Sequence, residues 1–116
     1  MKRSQPPAAY QEFVSRFPRL GRAWKLANEE AAAGPLDART QRLVKLAIAV
    51  GAQRESAVHS AARKALAGGV SQEAMEQVIV LGTSTLGFPA VVAAVGWLQE
   101  EVAPKRARSP RRRSRR

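Results

Sequence analysis

The stretch ESAVHSAARKALAGGVSQE, residues 55–73, decides the fold because it contains a helix, its stop signal and the start of another helix. Small apolar side chains recur through its first part at helical spacing. We expect Gly68 or Gly69 to supply a left-handed C-terminal cap. Ser71 is a suitable N-cap for the following helix, with Glu73 favourably placed in its first turn. The pattern therefore predicts two short helices joined by a tight turn.

The segments on either side also have the character of short helices. Two helices are expected to end before Pro18 and before Gly34-Pro35. A third follows the candidate N-cap Asp37 and contains LVKLAIAV, residues 43–50, which is so apolar that we expect it to be mostly enclosed. The last helix should run from about residue 89 to 102. Because no segment alternates like a half-buried strand, the sequence predicts an all-α, compact bundle of about six short helices.

The charge of the chain is concentrated at one end. The formal net charge is +11, but residues 104–116 hold eight basic side chains and no acid, which leaves 12 basic and 9 acidic side chains elsewhere. We therefore predict one helical domain, residues 1–103, and a disordered basic tail, residues 104–116. Without interleaved aromatic side chains, the tail should bind nucleic acid only weakly and in a salt-sensitive way. A solubilising extension without a specific partner explains its composition equally well.

The sequence gives little reason to place the chain in a membrane. Residues 78–98 carry no charge and are long enough to span a bilayer. Gly82 and the Gly87-Phe88-Pro89 segment interrupt this run, which favours two shorter buried helices. The charged first residues are not followed by the apolar stretch of a secretory signal. We therefore expect a cytoplasmic protein with no membrane partner.

Glu55 and His59 are the candidate catalytic pair. Their spacing of four residues places a carboxylate and the chain's single imidazole on one face of a helix. Glu55 would orient the ring and favour its protonated form, so that His59 acts as a general acid or base. The alternative is a surface pair, or a histidine satisfied at a subunit interface. Since these two residues supply only two ligands, no metal site is predicted, and no cofactor.

Three features in order resemble the carboxymuconolactone decarboxylase family, which includes the alkylhydroperoxidase D-like proteins. They are the apolar helix at residues 43–49, the motif Glu55-x-x-x-His59-x-x-x-Arg63 with its Gly-Val-Ser-x-Glu ending, and GFPA at residues 87–90. The similarity covers about residues 36–100. It implies an alkylhydroperoxidase D-like helical protomer that forms homo-oligomers, with a pocket beside the helix that carries His59.

The same resemblance separates this chain from the thiol peroxidases of the family. Those proteins carry a Cys-x-x-Cys pair before the histidine, and the two positions here are Ala52 and Glu55. The chain has no cysteine, which excludes thiol-based peroxide reduction. The decarboxylase branch is closer, because it also has glutamate and histidine at these positions. The resemblance thus implies decarboxylation of a small unsaturated lactone or carboxylic acid by Glu55 and His59. The alternative is a catalytically degenerate oligomeric interaction module whose basic tail binds nucleic acid or an acidic partner.

Further side chains are candidates for substrate binding. Arg54, Arg63 or Lys45 could bind a substrate carboxylate, although a lysine in the position of Lys45 more often extends from the helix rim into solvent. The larger aromatic side chains could line a pocket for a ring, or could simply pack in the core and at interfaces. They are Tyr10, Trp24, Phe88 and Trp97.

Overall fold

The computed structural model describes residues 8–102, and all regular elements within them are α-helices. Among the described residues, an N-terminal unit, residues 8–37, and a C-terminal unit, residues 38–102, are each compact. The first contains α1 (Ala8–Arg16) and α2 (Pro18–Ala32), and the second contains α3 (Ala38–Gly51), α4 (Glu55–Ala67), α5 (Gln72–Val80), α6 (Thr83–Leu86) and α7 (Phe88–Val102). The all-α prediction is confirmed, and α6 adds one short helix to the expected number.

The N-terminal unit is a pair of helices that pack on each other. Gly21 of α2 permits their close approach, since a Cβ atom there would lie 3.0 Å from the Cβ of Val14. The rings of Phe13 and Phe17 stack at a tilt, with centroids 4.9 Å apart. Helix α1 ends before Pro18, as the sequence predicts, and Pro18 begins α2, where its missing N–H costs no helical hydrogen bond. Neither helix contributes a buried residue, so α1 and α2 form no enclosed core.

The C-terminal unit has a continuous apolar core. Its largest fully buried side chains come from α3, α4, α5 and α7 and are Leu46, Val58, Met75, Ile79 and Leu98. Burying one such side chain stabilises a fold by roughly 1.5–3 kcal/mol. Helix α4 packs against α3 and also against α7. The core therefore fixes the position of the helix that carries His59.

The turn after α4 forms as the sequence predicts. Gly69 takes the left-handed conformation, with φ +87°, whereas Gly68 does not. The amide of Val70 donates to the carbonyl of Ala65 at 2.9 Å, which satisfies a helix-end acceptor. The Ser71 hydroxyl then accepts from the amide of Ala74 at 3.1 Å and caps α5. The predicted stop and restart are thus both confirmed.

The expectation that α3 is mostly enclosed is wrong for the single chain. Only Leu46, Ala49 and Val50 of this helix are buried, while Ile48 is 65% exposed. The sequence pattern alone does not show that the chain offers too few partners to cover every side of the helix. Leu81 and Phe88 of the same unit are also left 70% exposed.

The uncharged run at residues 78–98 is divided, as predicted, between the end of α5, the short α6 and most of α7. Gly87, with φ +96°, makes the turn into α7. Within residues 8–102, no helix is both long and apolar enough to cross a bilayer. The predicted basic tail lies outside the described residues, and its separation from the helical domain stays a prediction.

Candidate functional site

His59 lies at the contact between α4 and α7. The buried residues Val58 and Ala62 on α4, and Leu98 on α7, lie in the core that joins the two helices. The imidazole lies at the edge of this contact, with its side chain 20% exposed. It is therefore held by packed helices and still reachable from solvent.

The structure brings the predicted pair Glu55 and His59 together. His59 Nε2 lies 3.4 Å from Glu55 Oε2, across one turn of α4. The contact is long for a hydrogen bond, and the Glu55 side chain is mostly exposed. Glu55 is thus a neighbour of the ring, but another carboxylate makes the shorter contact. The catalytic role of the pair stays a prediction.

That shorter contact comes from Glu101 on α7, which the sequence interpretation missed. His59 Nδ1 and Glu101 Oε2 are 2.6 Å apart, with the ring nitrogen donating to the carboxylate. The Glu101 side chain is only 19% exposed. A signal existed, because the buried positions Val91, Ala94 and Leu98 continue at helical spacing to residue 101. Glu101 therefore lies on the face of α7 that packs inward.

Glu100 completes the group and was also missed. Its Oε1 lies 3.4 Å from His59 Nε2, on the same side of the ring as Glu55. Glu100 is mostly exposed, like Glu55. We call Glu55, His59, Glu100 and Glu101 the His59 cluster. It joins one turn of α4 to the end of α7.

Of the proposed carboxylate-binding residues, only Arg63 is placed beside the cluster. Its Nη1 lies 3.9 Å from Glu101 Oε1, and the side chain is partly exposed. Lys45 is exposed on α3, in agreement with the solvent-facing alternative. Arg54 directly precedes α4 and is also exposed. Arg63 is therefore the cation placed to steady Glu101 or to meet an incoming anion.

The cluster changes the acidity of the imidazole. Partial burial acts to lower the pKa of His59, but hydrogen bonds to Glu101 and Glu55 and the charges of Glu101 and Glu100 outweigh it. The pKa of His59 is raised as a result. The ring therefore holds its proton to a higher pH than a free histidine.

Basic side chains gather elsewhere on α3 and α4. Partial burial, together with the charges of Lys45, Arg42 and Arg63, lowers the pKa of Lys64. Arg63 thus lies between a cluster of negative charge around His59 and a group of positive charge around Lys64.

An apolar cavity of about 410 Å³ lies in another part of the C-terminal unit. It is lined by residues of α3, by Val78 of α5, by α6 and by the turn between α5 and α6. Thr40 and Thr85 are the polar side chains in a wall that is otherwise apolar. None of its lining residues belongs to α4 or α7. The pocket expected beside the His59 helix is therefore not this cavity.

The aromatic candidates do not line this cavity either. Trp97 packs against the core, as the packing alternative predicts. Tyr10, Trp24 and Phe88 are exposed. In the single chain, none of the four forms a ring-binding wall around the cavity.

The sequence spacing offered only two possible metal ligands, Glu55 and His59. The structure adds a third, Glu100 on α7. One ligand atom from each of Glu55, His59 and Glu100 lies within 4.8 Å of the others. The other ring nitrogen of His59 is already engaged by Glu101. The cluster thus has the donors for either of two tasks, which are to deliver a proton from His59 or to bind a cation.

The comparison with known families agrees with this fold. The model of the carboxymuconolactone decarboxylase family matches residues 18–100, from the start of α2 to near the end of α7. This chain belongs to the carboxymuconolactone decarboxylase family. No curated protein and no solved structure gives a significant match. The predicted membership is confirmed, and this cysteine-free carboxymuconolactone decarboxylase family member carries His59 and its carboxylates within the matched region or next to it.

Proposed function

We propose that this carboxymuconolactone decarboxylase family member is a lyase that decarboxylates a small unsaturated lactone or carboxylic acid. The observation that carries the proposal is the fixed orientation of His59. Glu101 holds Nδ1 at 2.6 Å, so Nε2 is left as the nitrogen that can exchange a proton with a substrate. The family membership supports the reaction class, and the raised pKa of His59 supplies the protonated ring.

In the proposed reaction, the bond between the substrate carboxylate and its neighbouring carbon breaks and releases carbon dioxide. The electron pair of that bond moves into the conjugated lactone, whose carbonyl oxygen carries the negative charge. His59 Nε2–H then protonates carbon, and the ring recovers its proton from water. The step needs no external oxidant or reductant, and a positioned general acid typically accelerates such a proton transfer about 10²- to 10⁴-fold.

The cluster constrains how a negatively charged substrate can approach. Glu55 and Glu100 flank Nε2, and both would repel a carboxylate. Arg63 is the cation next to Glu101, on the Nδ1 side of the ring, so we place the substrate carboxylate there and the carbon to be protonated at Nε2. Glu101 is a positioning residue in this scheme, since it acts on His59 and not on the substrate.

Carbon dioxide release from a panel of unsaturated lactone acids tests the proposal. His59→Asn should lower turnover about 10²- to 10⁴-fold, and circular dichroism should show that the helices are retained, because the ring is not part of the apolar core. Glu30→Gln in α2 is a charge-matched control for substitutions of the cluster glutamates. Turnover by His59→Asn at the rate of the unmodified chain would contradict the proposed acid.

We also propose that the protein is a homo-oligomer. The C-terminal unit leaves Ile48, Leu81 and Phe88 at least 65% exposed, more apolar surface than isolated exposed side chains explain. Light scattering should give a mass above that of one chain, and Leu81→Asp should lower it. A monomer at micromolar concentration would contradict this assignment.

The second candidate function is an interaction module that has lost catalysis. It is supported by the eight basic side chains in residues 104–116, a charge density suited to phosphate backbones. Binding of the full chain to single-stranded nucleic acid should then weaken steeply with salt and disappear when residues 104–116 are deleted. Equal binding by the shortened chain would exclude the tail as the docking element.

A further inference from the structure

The concentration of acidic side chains around His59 is unusual for this chain. Basic side chains outnumber acidic ones by 20 to 9, yet three glutamates converge on the only histidine. Arg63 meets only the carboxylate of Glu101 and leaves Glu55 and Glu100 facing Nε2. A protonated imidazole or a metal ion at Nε2 would each offset the repulsion between these two carboxylates.

The distances at Nε2 fit a metal coordination sphere. Nitrogen and oxygen ligands about 2.1 Å from a tetrahedral ion are separated from each other by about 3.4 Å. Nε2 lies 3.4 Å from Glu55 Oε2 and 3.4 Å from Glu100 Oε1. The three ligand atoms all lie within 4.8 Å of one another. A small rotation of the two exposed carboxylates would therefore bring all three to coordination distance from one ion.

The remaining nitrogen of His59 has the partner that metal-bound histidines need. A ligating imidazole usually donates its other N–H to a carboxylate, which fixes the tautomer and makes the ligating nitrogen more basic. Glu101 does this at 2.6 Å, and Arg63 lies 3.9 Å from its second oxygen. This support comes from outside the three candidate ligands.

We propose that Glu55, His59 and Glu100 bind one divalent transition-metal ion, with a further position open to water. One imidazole nitrogen and two carboxylate oxygens suit Zn²⁺ or Co²⁺, whereas Mg²⁺ and Ca²⁺ favour sets made of oxygen alone. The two glutamates are exposed, so solvent reaches the open position. The ligands come from α4 and α7, whose packing holds the histidine and the glutamates in register.

The cation site goes beyond the proposed decarboxylation and does not depend on it. A metal ion on Nε2 uses the electron pair that would otherwise hold the catalytic proton. The cation-bound and acid forms of His59 therefore exclude each other. Binding is measured without substrate, so failure of one proposal leaves the other to be judged separately.

Titration of the chelator-treated full chain with Co²⁺ tests the site, using calorimetry and the visible absorption of the bound ion. We expect one Co²⁺ per chain and the intense bands of a low-coordinate site with a nitrogen ligand. His59→Asn and Glu100→Gln should each weaken binding at least tenfold. Glu101→Gln, which removes only the supporting carboxylate, should weaken it about 10- to 100-fold.

Glu30→Gln removes the same charge from α2 and should bind Co²⁺ like the unmodified chain. Circular dichroism of each variant confirms that the helices are retained, since all these side chains lie outside the apolar core. Absence of saturable Co²⁺ binding would overturn the proposal. Equal affinities of Glu100→Gln and Glu30→Gln would overturn it as well.

Discussion

The His59 cluster and the apolar cavity are two regions of one helical unit with opposite properties. The cluster joins α4 to α7 with charged groups and has side chains suited to acid–base and ligand chemistry. The cavity among α3, α5 and α6 is open to solvent, has a volume of about 410 Å³, and has only two threonine side chains for polar contact. Within residues 8–102, the His59 cluster and this cavity share no residue. The proposed reaction therefore places the substrate at the α4–α7 surface, not in this cavity.

The largest expected effect is on the rate of carbon dioxide release, when the cluster and the cavity are substituted separately. His59→Asn should lower the rate of carbon dioxide release about 10²- to 10⁴-fold, the usual contribution of a general acid. Ala47→Leu narrows the cavity from α3 and should leave that rate nearly unchanged. Initial rates on the same lactone acid compare the two variants. A rate that falls in Ala47→Leu and survives in His59→Asn would move the reaction to the cavity.

The next largest effect is on the free energy of unfolding, which should depend more on the packing behind the cluster than on the wall of the cavity. Leu98→Ala should destabilise the protein by about 2–5 kcal/mol, because it empties a fully buried position on α7. Val44→Ala in the cavity wall should cost about 0.5 kcal/mol, since Val44 is already exposed. Chemical denaturation measures both. Similar losses in the two variants would show that the cavity wall is as tightly packed as the α4–α7 contact.

A smaller effect tests the turn that links α4 to α5. Gly69→Ala should destabilise the protein by about 1–2 kcal/mol, because an L side chain is strained at φ +87°. Gly68→Ala is the matched control, with φ −86° and only ordinary contacts for the added Cβ atom. Thermal unfolding compares the two. A larger loss for the Gly68 variant would contradict the assignment of the left-handed cap.

The smallest expected effect is a change with pH in the free energy of unfolding, caused by the protonation of His59. Because the pKa of His59 is raised on folding, its protonation stabilises the native state below the unfolded pKa, and this stability is lost as the pH rises through the folded pKa. Glu101→Gln should remove about 0.5–1.5 kcal/mol of stability at the acidic end, the net value of one hydrogen bond. The difference should shrink at alkaline pH.

This comparison needs denaturation curves of chelator-treated protein between about pH 5.5 and 9, where carboxylates stay ionised. Val44→Ala serves as the control, because its loss of stability should not change with pH. A constant difference between the unmodified chain and Glu101→Gln would show that the carboxylate does not hold the His59 proton.

Local signals account for what the sequence predicted correctly. The Gly69 turn and the Ser71 cap depend on neighbouring residues, and both form as expected. The spacing of Glu55 and His59 likewise follows from helix geometry. Predictions of this kind need no knowledge of how helices pack.

The missed features depend on contacts between distant parts of the chain. Glu101 meets His59 across 42 residues, and no local pattern specifies which helix faces α4. The exposure of Ile48 was missed for the same reason, because it reflects how many helices are available to cover α3. The location of the cavity depends on packing as well, since three separate elements form its wall.

Nitrogen NMR of the single imidazole in chelator-treated protein, with and without a lactone acid, tests the central claim that His59 is a positioned acid–base group. The account predicts that His59 titrates above the range of a free histidine, that Glu101→Gln lowers this pKa, and that the lactone acid shifts the Nε2 resonance. An imidazole that titrates like free histidine, and that responds neither to Glu101→Gln nor to the lactone acid, would contradict the account.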